Sequence, residues 1–101
     1  MARGAQAPVS VGASDWTPLF VAATDGHATG ICVEVDAAAT ARVIFRWKAT
    51  TGSSEYSYFT MAAGAYPIPI KSARGLSEVS AKAVSDTQNV HWGIFEDEQP
   101  Q

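Results

Sequence analysis

The most informative part of the sequence runs from Tyr66-Pro67-Ile68-Pro69-Ile70-Lys71 to Val90-His91-Trp92-Gly93-Ile94-Phe95. It consists of short extended segments separated by Pro, Gly, Asp and Asn, and it closes on an apolar strand. Pro67 and Pro69 lack the backbone N–H that a sheet ladder requires, so residues 66–70 are expected to form an edge strand or an extended connector. Val90, Trp92 and Ile94 are expected to complete the core. The stretch thus indicates β architecture and carries no catalytic motif.

Similar extended patterns recur along the rest of the chain. Residues 31–35 alternate apolar and other side chains, which fits a strand with one dry face. In residues 41–48, Val43, Phe45 and Trp47 point one way and the remaining side chains point the other. Residues 76–84 also admit a helical stripe, but the stricter period of two favours a strand. The predicted strands are 8–11, 17–22, 31–35, 41–48, 56–61, 66–70, 76–84 and 90–95.

Turn signals separate these strands. Asp25-Gly26 predicts a tight hairpin, because this pair tolerates the positive φ values that such a turn requires. Residues 51–54 predict a second hairpin between strands 41–48 and 56–61. Residues 36–40 and 86–89 are interpreted as loops. Together these features predict an all-β fold, a small antiparallel β-sandwich or barrel of about seven to eight short strands.

The domain organisation follows from the ends of the chain. Residues 1–11 are predicted to form a flexible N-terminal arm, because the first seven are small or polar. Residues 12–95 form the predicted β-sandwich domain. Residues 96–101 are predicted to be a disordered acidic tail.

Composition excludes several functional classes. The net charge is -3 and the seven Lys and Arg are scattered, so no basic stripe is present for a nucleic acid partner. No apolar run approaches the roughly 18 residues that span a bilayer, and the first residues do not resemble a secretory signal, so we expect a soluble protein that engages no membrane. The single Cys32 excludes an internal disulfide and favours synthesis in a reducing compartment.

Catalytic and metal sites find little support in the residue pattern. His27 and His91 could share a metal with Glu34 or Asp36, but no spacing in the chain brings them together. Cys32 lies in an alternating strand, where a buried, inert thiol is the usual case. A Gly-x-Ser-x-Gly motif is absent from the sequence. We therefore expect a non-enzymatic protein with no catalytic residues, no cofactor and no bound metal.

Aromatic and basic side chains provide the more informative candidates. Phe20, Phe45, Trp47 and Phe59 fit the core. Trp16, Tyr56, Tyr58 and Tyr66 fall near turns or on the opposite face, where they either complete a small core or, if exposed, suit a protein interface or a sugar platform. Arg42, Arg46 and Lys48 share one strand face, which is either simply solvated or a docking strip for an acidic surface. The predicted interface residues are Pro8, Val9, Val11, Trp16, Arg42, Arg46, Tyr56, Tyr58, Tyr66, Pro67 and Pro69.

Residues 64–75 (Gly-Ala-Tyr-Pro-Ile-Pro-Ile-Lys-Ser-Ala-Arg-Gly) and the closing residues 90–95 carry a family resemblance. In pattern, length and composition, the last two-thirds of the chain resembles the small β-sandwich virion proteins of tailed bacteriophages, such as capsid decoration (cement) and spike-base proteins. The resemblance implies a structural role with no catalytic residues. It also implies synthesis in the host cytoplasm and location on the capsid surface of the virion.

The implied partners are the major capsid protein and further copies of the chain, as a homotrimer. In such an assembly the arm could add a strand to the sheet of a neighbouring subunit. The alternative is a carbohydrate- or receptor-binding module of a phage tail or spike, with Trp16 or Tyr66 contacting the glycan. A tail-tube or tail-completion protein is a third possibility within the same virion class.

Overall fold

The computed structural model describes residues 3–4, 8–49 and 56–96. In this part of the chain there are nine strands and one short helix. In chain order they are β1 (Arg3–Gly4), β2 (Val9–Val11), β3 (Thr17–Val21), α1 (Ala22–Asp25), β4 (Gly30–Val35), β5 (Val43–Ala49), β6 (Ser57–Met61), β7 (Ile68–Lys71), β8 (Leu76–Ala83) and β9 (Gln88–Glu96).

The strands form two antiparallel sheets. In the first, here called the β9 sheet, the order is β1-β9-β4-β7, and β2 also pairs with β9. In the second, the β8 sheet, the order is β3-β8-β5-β6. The predicted all-β sandwich is confirmed. The expected edge strand is also found, since β7 closes one edge of its sheet and places Pro69 opposite Cys32.

The core lies between the sheets and follows the alternation in the sequence. Ile31, Val33 and Val35 point inward from β4 and are buried. From β5 and β8 the buried apolar side chains are Val43, Phe45, Leu76, Val79, Ala81 and Ala83. The period of two in residues 76–84 is therefore the correct interpretation, since a helix would have turned some of these apolar side chains into water.

Aromatic packing completes the core. The rings of Phe45 and Phe59 stack with their centroids 5.3 Å apart. Trp92 meets the buried Phe20 edge-on at 6.2 Å, an arrangement that aromatic pairs favour. Trp47, Phe59 and Trp92 are partly exposed but pack against the buried cluster, so the expected core roles of these aromatic residues hold.

The predicted hairpin at Asp25-Gly26 is wrong. Residues 22–25 instead form α1, one helical turn that closes with the Gly26 N–H donating to the Ala22 carbonyl oxygen over 3.0 Å. Gly26 has φ 94°, so the glycine is needed to end the helix rather than to make a hairpin. The physical reason is that β3 and β4 belong to different sheets, and a two-residue turn cannot carry the chain across the core.

The predicted boundary between arm and domain at residue 12 does not match the sheets. Val9 pairs with Val90 and Val11 pairs with Gln88. Val11 is fully buried in the core, so it cannot serve as a surface residue of this fold. β2 belongs to the sandwich because its alternating valines cover apolar surface beside β9.

Other predictions lie partly outside the described residues. Antiparallel pairing of β5 with β6 confirms that these strands are neighbours, but the turn predicted at 51–54 lies outside the described part, as does the acidic tail beyond residue 96. Residues 36–40 form the expected loop. The loop predicted at 86–89 is shorter than expected, because Gln88 already begins β9.

Candidate binding faces

Arg46 is the centre of a polar and aromatic cluster on the outer side of the β8 sheet. Its guanidinium carbon lies 4.4 Å from the centroid of the Trp16 ring and 4.1 Å from that of Tyr56. Both distances fall within the range of favourable cation–π contacts. We call this surface the aromatic–cationic face, and it comprises Trp16, Arg46, Lys48, Tyr56, Tyr58, Glu78, Ser80 and Lys82.

The sheet register explains why these residues meet. Arg46 lies opposite Tyr58 of β6 on one side and Ser80 of β8 on the other. Lys48 lies opposite Glu78 in the same way. Because alternate residues of a strand share a face, the buried Val43 and Phe45 force Arg46 to point outward.

Glu78 organises the polar part of this face. Its carboxylate accepts hydrogen bonds from the Tyr56 hydroxyl, at 2.9 Å, and from the buried Ser80 hydroxyl. The Arg46 guanidinium lies 3.7 Å from the same carboxylate. Partial burial raises the pKa of Glu78, but the two hydroxyl donors and the neighbouring cations outweigh it and hold the pKa below its usual value. The hydrogen bond that the Tyr56 hydroxyl donates to Glu78 also raises the pKa of Tyr56.

The exposed part of this face is aromatic and positively charged. Tyr58 is 59% exposed and lies 6.0 Å from the Trp16 ring and 6.3 Å from the Tyr56 ring. Lys48 approaches the Tyr56 ring at 5.0 Å, and Lys82 approaches the Trp16 ring at 5.8 Å. Within the face, three cations therefore stand against the single carboxylate of Glu78.

A second feature occupies the outer side of the β9 sheet. A groove of about 360 Å³ lies between the end of β4 and the segment before β7, and its wall includes Glu34, Asp36, Tyr66 and His91. An adjoining depression of about 230 Å³ shares Glu34, Pro67 and His91 with it and extends to Cys32 and Gly93. We call the two together the acidic groove.

Asp36 and His91 form a fixed pair in this groove. His91 Nε2 lies 2.9 Å from Asp36 Oδ1, and the Ala38 N–H donates to Asp36 Oδ2 over 3.0 Å. The hydrogen bond from His91 is the main cause of a pKa for Asp36 below its ordinary value, and the hydrogen bond from the Ala38 N–H adds a smaller effect in the same direction. Glu34 faces His91 from the neighbouring strand. Across the described residues, no three His, Cys, Asp or Glu side chains converge to hold a metal ion.

The predicted interface residues divide among three places instead of forming one surface. Trp16, Arg46, Tyr56 and Tyr58 do meet, on the aromatic–cationic face. Arg42 stands apart, because it is exposed but precedes β5, the strand that carries Arg46. The other members are Pro8, Val9 and Val11, before or within β2 beside β9, and Tyr66, Pro67 and Pro69 at the acidic groove and β7.

Sequence reasoning missed part of both sites. Glu78 and Ser80 reach Arg46 through the pairing of β8 with β5, and Lys82 reaches Trp16 through the pairing of β8 with β3. The sequence suggests Asp36 and His91 only as metal ligands together with His27, which lies between α1 and β4. The one signal that could have indicated the groove is Asp36, a carboxylate directly after the alternating strand β4.

Comparison of the chain with protein-family models, curated proteins and solved structures gave no significant match. Among the helices of the described residues, none has the length and apolar character needed to cross a membrane.

Proposed function

We propose that this chain is a non-enzymatic structural protein of a phage virion, a capsid decoration protein that binds the outer surface of the head. The observation that carries this proposal is the aromatic–cationic face, where aromatic rings and cations line one open side of a β-sandwich. Aromatic residues and Arg are enriched at the centres of protein interfaces. The resemblance of the sequence to small virion proteins supplies the identity of the partner, the major capsid protein.

The construction of the face favours protein binding. Arg46 is held by two rings and a carboxylate, so little further side-chain freedom is lost when a partner binds. Tyr58 offers a large, exposed ring with a hydroxyl that can donate or accept a hydrogen bond. The excess of cations suits an acidic patch on the capsid and would speed association.

Binding would stabilise the shell by mass action, because each bound copy favours the assembled lattice over its dissociated parts. The proposal includes self-association of bound copies as homotrimers. Sedimentation of the free protein and of the protein released from capsids would measure that state separately from capsid binding.

The test combines electron microscopy of intact virions with binding of the purified protein to capsids. We expect density for the chain on the head surface, and we expect Tyr58→Ala to weaken capsid binding by at least about fivefold, as truncation of an interface anchor does. The binding should also weaken with added salt, since screening reduces attraction between exposed charges.

Tyr66→Ala is the matched control, because it removes another exposed tyrosine, on the opposite side of the sandwich, and should leave capsid binding unchanged. Absence of the chain from virions would overturn the proposal. Capsid binding by Tyr58→Ala at the wild-type level would remove the role of the aromatic–cationic face.

A further inference from the structure

We propose that the acidic groove binds a saccharide, with a neutral or amino sugar ring stacked on Tyr66 and its hydroxyls bonded to Glu34 and Asp36. This site lies on the β9 sheet, so the inference goes beyond the proposed capsid role and does not depend on it.

Tyr66 is the first observation behind this site. Its side chain is 92% exposed, the highest value among the large apolar residues of the described chain. It stands at the wall of the groove, just before Pro67, whose ring restricts the backbone there. An aromatic ring left in water gains free energy when an apolar surface covers it. The C–H face of a pyranose is such a surface, and the phenol hydroxyl remains available to the sugar.

The polar groups opposite Tyr66 match the hydroxyls of a sugar. Ionised carboxylates accept up to four hydrogen bonds and donate none, so Glu34 and Asp36 suit a ligand rich in O–H donors. Asp36 is held in place by His91 and by the Ala38 N–H. Its orientation is therefore set before a ligand arrives, which lowers the entropy cost of binding.

The size of the groove favours a small ligand over a protein partner. A volume of about 360 Å³ lies near the lower end of the range for small-ligand pockets, about 300–1,000 Å³. A protein interface needs a broader patch of about 800 Å² on each partner. The adjoining depression, which shares Glu34 and His91, gives room for a second sugar unit.

Charge selects among sugars. Two carboxylates in one groove repel a ligand that carries a sulfate or carboxylate and favour one that is neutral or positively charged. We therefore expect binding of neutral or amino glycans and little binding of sialylated or sulfated ones.

The experiment is a glycan array that contains neutral, amino, sialylated and sulfated glycans, followed by NMR titration of the ¹⁵N-labelled full chain. The titrants are N-acetylglucosamine oligomers, glucosamine oligomers, neutral galactose-containing oligosaccharides and sialyllactose. We expect at least one neutral or amino glycan to bind with Kd about 1 mM or tighter. The amide shifts should fall on residues 32–37, 64–67 and 91–93.

Variants separate stacking from general effects on the fold. Tyr66→Ala should weaken binding at least about tenfold, whereas Tyr66→Phe keeps the ring and should stay within about threefold of the wild type. Glu34→Gln keeps the shape of the side chain and should weaken binding of an amino glycan more than that of a neutral one. Tyr58→Ala is the matched control on the other sheet and should bind glycan normally.

Three results would overturn the inference. The first is an array without any neutral or amino glycan bound, together with no NMR response to the three neutral or amino titrants. The second is glycan binding that Tyr66→Ala leaves unchanged. The third is a set of groove shifts that depend on protein concentration without added sugar, which would indicate that a second copy occupies the groove. None of them bears on capsid binding, which is measured with Tyr58→Ala.

Discussion

At the scale of single residues, Arg46 shows how a cation is held on a sheet surface. Its Nε atom is buried and has no hydrogen-bond partner among the described residues. The Trp16 and Tyr56 rings lie against the guanidinium and provide electrostatic attraction that offsets part of this loss. Glu78 adds the opposite charge. The geometry of the aromatic–cationic face therefore depends on these four side chains acting together.

The lowered pKa of Glu78 predicts how stability depends on pH. A carboxyl group whose pKa is lower in the folded state stabilises the fold above its ordinary value of 4.5, and this stabilisation is lost as the pH falls toward the folded value. We expect Glu78→Gln to reduce the free energy of unfolding at pH 7 by about 1–2 kcal/mol. It should also flatten the loss of stability on acidification, as measured by urea denaturation at several pH values.

Tyr56→Phe provides the control for this prediction. It removes one of the two hydroxyl donors to Glu78 and keeps the ring beside Arg46, so its acid profile should fall between those of the wild type and Glu78→Gln. Part of the acid dependence should survive in all three proteins, because the pKa of Asp36 is lowered too. An unchanged acid profile in Glu78→Gln would contradict the role assigned to its hydrogen bonds.

At the scale of elements, β2 shows what a three-residue strand contributes. From the sequence, residues 8–11 are predicted to be extended but to belong to the N-terminal arm, because the residues before them are small and polar. Only the pairing with β9 shows that Val11 enters the core. A short segment carries too few alternating positions for its sequence to say which sheet it joins.

Substitution of Val11 tests whether β2 belongs to the sandwich. We expect Val11→Ala to reduce the free energy of unfolding by about 2 kcal/mol, since it leaves a cavity in a fully buried position. Val9→Ala, at a partly buried position of the same strand, is the control and should have a smaller effect. Urea denaturation measures the free energy of unfolding of both variants. A negligible change for Val11→Ala would indicate that β2 is part of the arm and not of the sandwich.

The longer strands were predictable and the crossings between sheets were not. The alternation in β4, β5 and β8 fixed their inward faces directly. By contrast, α1 stands where a hairpin was expected at Asp25-Gly26. The local turn signal is the same in both cases, and only the placement of β3 and β4 in different sheets excludes the hairpin. Gln88 is similar. It is buried, and it exchanges hydrogen bonds with Thr40, 48 residues away, which no local pattern reveals.

At the scale of the whole molecule, the fold joins distant parts of the chain. Thr17 pairs with Ala81, and Ile31 pairs with Ile94. The candidate sites depend on such long-range pairings, because β4 with β9 brings Asp36 to His91 and β5 with β8 brings Arg46 to Glu78. The aromatic and basic members of the aromatic–cationic face could be predicted from the sequence, but Glu78 and the acidic groove could not, because they depend on which strands pair.

This topology predicts slow folding for a chain of this size. Loops between distant strands must close before their contacts form, so we expect folding on the order of milliseconds to seconds. Stopped-flow fluorescence measures this rate, since Trp92 packs against the buried Phe20. Tyr58→Ala, which changes only an exposed ring, should fold at the wild-type rate. Folding within microseconds would contradict the non-local pairing described above.

The pairing of β1 with β9 has a mechanical consequence. Arg3 lies opposite Ile94 in an antiparallel ladder, so the first and last described strands leave the sheet side by side. Tension applied between them pulls at one end of the ladder and peels its hydrogen bonds apart one after another, instead of loading them all together. A cargo joined before Arg3 and another joined after Glu96 would hang from the same corner of the molecule. The fold therefore suits attachment of two partners at one place. It should unfold at low force when the two ends are pulled apart.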